Sequence, residues 1–238
     1  MQRTPVRRRD KQKDTPARVL PSRVMMPANK ADWATRLRRV AARTLGDDLG
    51  AGDWQRDRLT AFSDERGHRR AVDPYLLAWR GRGEGVETLP PPTHASEACL
   101  WASLTRTDTD LHAHLPERSD EEAPLFEQPD DVVIEVWTET ELASLHAVWW
   151  HAHTTGDASL RALVRDVASW HVAMLQPDNA TNHPWALHVF LLLHTDHGVE
   201  GADLYAQTLL HNCMVTSGRP DRLSAHILAD CADALEQA

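Results

Sequence analysis

The stretch Pro184-Trp185-Ala186-Leu187-His188-Val189-Phe190-Leu191-Leu192-Leu193-His194-Thr195-Asp196-His197-Gly198 decides the fold. Proline opens it and glycine closes it, the asymmetry of a helix start and a helix stop. Between them the apolar residues run almost all round a helical wheel. Such a helix has no face to offer water and has to sit among other helices. It is also too short for a membrane span, which needs about 20 apolar residues, and His188 interrupts it. His183 precedes a proline and is therefore expected to be non-helical.

The flanking sequence supplies the partners. Upstream, Asp157 is placed to cap a helix over 158–176 with Leu160, Val164, Val167, His171 and Met174 on one stripe, stopped at Pro177. Before it, Thr138 and Glu141 have capping-box spacing and predict a helix that runs to about 154 and breaks at Gly156. Downstream, helices are expected over 201–217, ahead of Gly218, and over 221–237, behind Pro220. Connections of roughly 2–8 residues are the length that joins antiparallel neighbours. The fold class that follows is mainly α. An antiparallel α/α-hairpin bundle or short helical stack fills the C-terminal half, behind an irregular helical N-terminal half and a disordered basic N-terminal tail.

Three segments are expected: a tail over 1–28, a loosely organised helical region with long loops over 29–131, and a five-helix bundle over 132–238. Asn29 is a good N-cap for a helix carrying Trp33, Leu37, Val40, Ala41 and Leu45 inward, with Gly46 as its stop and Arg36, Arg38, Arg39 and Arg43 on a solvated outer face. A weaker helix is expected over 53–65 and a short one over 96–106. Residues 119–131 read as an acidic linker. The apolar, β-branched stretch 132–137 reads as an extended packing segment.

Charge narrows the partners. The 238 residues hold 26 basic and 35 acidic side chains, a net −9. Residues 1–24 alone hold eight Lys and Arg against two Asp, so the rest of the chain carries −15. A body this acidic repels phosphates, and nucleic-acid affinity would have to come from the tail or from a local patch. Cys99, Cys213 and Cys231 are odd in number and widely spaced among apolar residues. They read as buried, reduced thiols and point to a cytoplasmic protein with no disulfide framework.

Ten of the 14 histidines lie after residue 131. Two histidines on one helix share a metal ion when they stand three or four apart, and only His194 and His197 do so, at a helix end. His146 and His153 flank Trp149-Trp150 but are about 10 Å apart along a helix. They are expected to be core or seam histidines bonded to backbone or carboxylate. The hexad Asp110-Leu111-His112-Ala113-His114-Leu115 resembles the His-x-His strand motif of amidohydrolase-type metallohydrolases. That resemblance would imply a barrel strand with both imidazoles on metal, yet the approach through Thr105, Arg106, Thr107, Asp108 and Thr109 is polar and the following chain reads as helices. No P-loop, dinucleotide-binding fingerprint, Gly-x-Ser-x-Gly elbow or His-Glu-x-x-His motif is present, so neither a cofactor nor a metal is expected.

The densest polar loop is Gln176-Pro177-Asp178-Asn179-Ala180-Thr181-Asn182-His183-Pro184-Trp185. Feeding a helix N-terminus, it nominates Asp178, Asn179, Asn182, His183, Trp185 and His188 as a ligand-binding group for an anionic or carbonyl-bearing ligand. The structural alternative is that the Asx side chains close loop turns and His188 is a hydrogen-bonded core residue. The functional expectation is a scaffold that binds a protein partner or a small ligand, without membrane insertion. The alternative is an enzyme, hydrolytic in kind, with a histidine-based pocket at 176–188.

Overall fold

A computed structural model describes residues 29–46, 95–96, 99, 111–117, 123–130, 132–175 and 182–238. The expectations for the tail, for the helix over 53–65 and for most of the helix over 96–106 lie outside these residues. Six α-helices are present among the described residues, with no strand: α1 (Lys30–Leu45), α2 (Ile134–Thr155), α3 (Ala158–Met174), α4 (Leu187–His197), α5 (Ala202–Asn212) and α6 (Arg222–Gln237). A 3-10 turn, Leu111–His114, stands between α1 and α2. No helix among them is long and apolar enough to cross a membrane.

Caps set most of the boundaries. The Asn29 side chain accepts from the Asp32 amide, Asp157 accepts from the amides of Ser159 and Leu160, and Asp221 accepts from Ser224. Gly198 ends α4 at φ 66°, a left-handed conformation that glycine adopts without a Cβ clash. Its amide reaches back to the carbonyls of α4's last turn.

The helix opening at Thr138 starts earlier than its capping box predicts. Ile134, Glu135, Val136 and Trp137 are already helical, Val133 is the N-cap, and Thr138 is buried inside the helix. Tertiary contacts override β-propensity here. The Trp137 indole N–H donates to the Phe126 carbonyl at 3.1 Å, and the ring meets Trp170 of α3 edge-on at 6.3 Å. Glu141, the other half of the expected box, is also buried. Its carboxylate accepts from the backbone amides of Leu125 and of Phe126, the latter at 3.0 Å. Residues 123–130, read as linker, thus carry two side chains, Leu125 and Phe126, into the core.

Packing centres on α4. It touches α1, α3, α5 and α6, and Leu187, His188, Val189, Phe190, Leu191 and Leu193 are buried. Phe190 is stacked on Tyr205 of α5 at 4.1 Å. The most extensive pairing is α1 on α6. Arg38 closes it, with ion pairs to Asp233 at 2.7 Å and Glu236 at 2.6 Å, and Thr44 donates to the Pro220 carbonyl. Only part of the expected solvated arginine face is therefore solvated. Arg38 is paired, and Arg36 lies over the Trp33 ring at 4.8 Å.

Candidate functional site

The seam between α2, the turn over 182–186 and α6 collects the titratable side chains. The turn is held by an unusual backbone: Ala186 is the one described non-glycine residue with positive φ, at 54°. For a residue with a Cβ that conformation costs about 1 kcal/mol or more, and it is retained where the surroundings fix it. Here the Ala186 amide donates to His146 Nδ1 at 3.3 Å. Helix α4 begins only after this residue, at Leu187, three positions later than Pro184 predicts.

An inner cluster lies behind the turn. His146 of α2 sets Nε2 against Asp230 Oδ2 of α6 at 2.7 Å, both groups buried. A ring nitrogen between a carboxylate and a backbone N–H has its tautomer fixed: Nε2 carries the proton and Nδ1 accepts. His188, fully buried, meets the His146 ring edge-on at 4.7 Å and has Nδ1 3.3 Å from Cys231 Sγ of α6. Its Nε2 has no hydrogen-bond partner. Trp149 lies 4.5 Å from the His188 ring, Trp185 lies 5.6 Å from that of His146, and both indoles are buried. His153 is stacked on Trp149 at 5.0 Å. Burial, reinforced by His146 and His153, holds the His188 pKa well below the usual imidazole range. Burial likewise pushes the Cys231 thiol up, so it stays protonated at neutral pH.

An outer pair lies on the solvent side of the turn. His183, mostly buried, bonds through Nδ1 to buried Glu139 of α2 and faces Asp221, the N-cap of α6, through Nε2 at 3.4 Å. Asp221 feels desolvation, which raises its pKa, but the bond and charge of His183 and the Ser224 amide outweigh it, and the net shift is downward. The arrangement sets one imidazole between a buried carboxylate and a solvent-facing one.

The six nominated residues separate accordingly. Trp185 and His188 belong to the inner cluster, His183 to the outer pair, and Asn182 is exposed at the start of the turn. Asp178 and Asn179 lie outside the described residues. Sequence spacing missed His146, Asp230 and Cys231 as companions of His188, because the group is assembled from three helices. His146 is the seam histidine bonded to carboxylate and backbone that its apolar surroundings predict. His112 and His114 occupy the 3-10 turn rather than a strand end, and His112 Nε2 lies 3.1 Å from the α3 cap Asp157.

A second buried polar group, Glu141, His171 and Tyr205, ties α2, α3 and α5 together. Glu141 lies 3.7 Å from His171 Nε2, and the Tyr205 hydroxyl lies 3.4 Å from Nδ1. It is enclosed by Phe190 and reads as a packing node.

Compared with protein-family models, with curated proteins and with solved structures, the chain matches none.

Proposed function

We propose that this chain is a helical binding protein that docks an amphipathic protein segment at the free end of the α2–α3 hairpin. The observation that carries the reading is a set of large apolar side chains left in water there. Val133 and Met174 are 62% and 67% exposed, with Ile134 and Val136 also exposed. Val133 and Ile134 lie one turn before Trp137, and Met174 lies one turn after Trp170. Because the two indoles meet and the helices run antiparallel through Gly156, the four side chains belong to one end of the hairpin. Clustered exposed apolar surface marks an interaction site more often than scattered single residues do.

The test is site-specific photo-cross-linking in cells that make the protein, with the reactive group at 134, at 174 and, as a control, at exposed Arg165 on α3. The expected result is one shared adduct from 134 and 174 that is absent from 165 and is lost when Ile134→Asp is combined with the probe at 174. The same adducts from all three positions would sink the proposal.

The rival reading, a histidine-based enzyme pocket, draws its support from His183. Only this nominated imidazole combines a buried carboxylate partner with a solvent-facing one. Its test is the His183 titration followed by NMR. An imidazole whose pKa moves when Glu139→Gln is introduced, together with turnover abolished by His183→Gln, would favour the enzyme.

A further inference from the structure

We propose that His146, His188 and Cys231 form one buried site for a zinc-type transition-metal ion, with Asp230 as the carboxylate that orients His146. This inference is independent of the docking surface above. Each of the three residues offers one ligand atom, and these atoms all lie within 4.8 Å of one another. A tetrahedral ion with Zn–N near 2.0 Å and Zn–S near 2.3 Å spaces its ligand atoms about 3.3–3.6 Å apart. The His188 Nδ1 to Cys231 Sγ distance, 3.3 Å, already matches. The longest edge has to close by roughly 1 Å on binding.

Four independent features point the same way. With Nε2 paired to Asp230, His146 binds the ion through Nδ1 by exchanging the 3.3 Å bond from the Ala186 amide for the metal, in the carboxylate–histidine arrangement that orients imidazoles on metals. His188 is fully buried and its Nδ1, the nitrogen facing the site, is held only by a thiol, a weak partner that an ion can replace. The strained Ala186 backbone and the buried Trp149 and Trp185 rings enclose the cluster. The charges also balance, because a divalent ion is neutralised by one thiolate and the Asp230 carboxylate.

Two imidazoles and one sulfur select borderline ions such as Zn²⁺ or Co²⁺ over Mg²⁺ and Ca²⁺. Binding replaces the S–H bond of Cys231 with a metal–sulfur bond and releases that proton to solvent. The fourth position falls to a water molecule. With every protein ligand buried, the ion ties α2, α4 and α6 together rather than meeting a substrate.

The test uses the full chain, stripped with chelator and titrated with Co²⁺ alone. The expected result is uptake of one ion with the intense visible bands of tetrahedral cobalt and a near-ultraviolet sulfur-to-cobalt charge-transfer band. Zn²⁺ should displace both. Cys231→Ser should abolish the charge-transfer band, whereas Cys213→Ser, a buried thiol outside the cluster, should keep it. No stoichiometric uptake, or a band that persists in Cys231→Ser, overturns the proposal. Should Cys231→Ser fail to fold, X-ray absorption of the zinc-loaded wild-type chain decides. One sulfur with two imidazoles supports the site, and a shell of oxygen and nitrogen alone refutes it.

Discussion

Acidification from about pH 7.5 to pH 5 should weaken the fold through His188. The ring is fully buried, and the imidazoles of His146 and His153 stand near it, so its pKa in the folded chain is well below the ordinary value. In the unfolded chain it titrates near 6.5. Because the folded pKa is the lower one, the unfolded chain binds more protons once the pH drops below about 6.5. The stability is therefore complete above that value and is lost as the pH falls through and below it. The loss is at most about 1.4 kcal/mol per pH unit, so about 2 kcal/mol at pH 5 is its upper limit, reached when the folded ring stays neutral throughout. Asp157, Asp221 and Glu236 are also shifted down, but unfolded carboxylates titrate near 4, so their losses begin below this window. His151 is lowered as well and contributes in the same direction. The variant His188→Asn isolates the term, since its amide can replace Nδ1 opposite Cys231 but takes no proton. Urea denaturation of both chains across this range, with chelator present, gives the comparison. The wild type should lose more than the variant, by up to about 2 kcal/mol. Equal losses would mean that the native core accommodates a charged His188, and the reasoning fails.

Phe190→Ala removes the ring at the centre of α4, stacked on Tyr205, and should cost about 3–5 kcal/mol by calorimetry or denaturant titration. Glu141→Gln replaces the charged acceptor of the Leu125 and Phe126 amides and should cost about 1.5–3 kcal/mol, with faster hydrogen exchange at those two amides. Ala186→Gly relieves the positive φ but removes a fully buried methyl and loosens the unfolded chain, so it should cost about 1 kcal/mol less than Ala229→Gly in the core of α6, and an equal fall in the two thermal midpoints would show that the turn is unstrained.

How legible the fold was in the sequence follows from where its information is local. Asn29, Asp157, Gly198 and Asp221 are cap signals acting within one helical turn, and each is where the helices start or stop. The all-round apolar pattern after Pro184 correctly places α4 at the centre. The beginning of α2 was not legible. Val132, Val133, Ile134 and Val136 have the composition of extended chain, and what makes residues 134–137 helical is the anchoring of Trp137 by Phe126 and Trp170. The inner cluster was hidden for the same reason. His146, His188 and Cys231 lie more than 40 positions apart in sequence, whereas a histidine-spacing rule inspects one helix at a time.

The clasp of α1 on α6 has a consequence for how the chain is made. A ribosome completes α1 long before α6, with the 176 residues 46–221 still to come. At about 5–20 residues per second that is a delay of roughly 10–35 seconds. Throughout it, the nascent chain carries Trp33, Leu37 and Val40 without the surface that finally covers them. Until α6 is made, those side chains lack the larger part of their native cover, so the N-terminal helix depends on the last-made one for its burial.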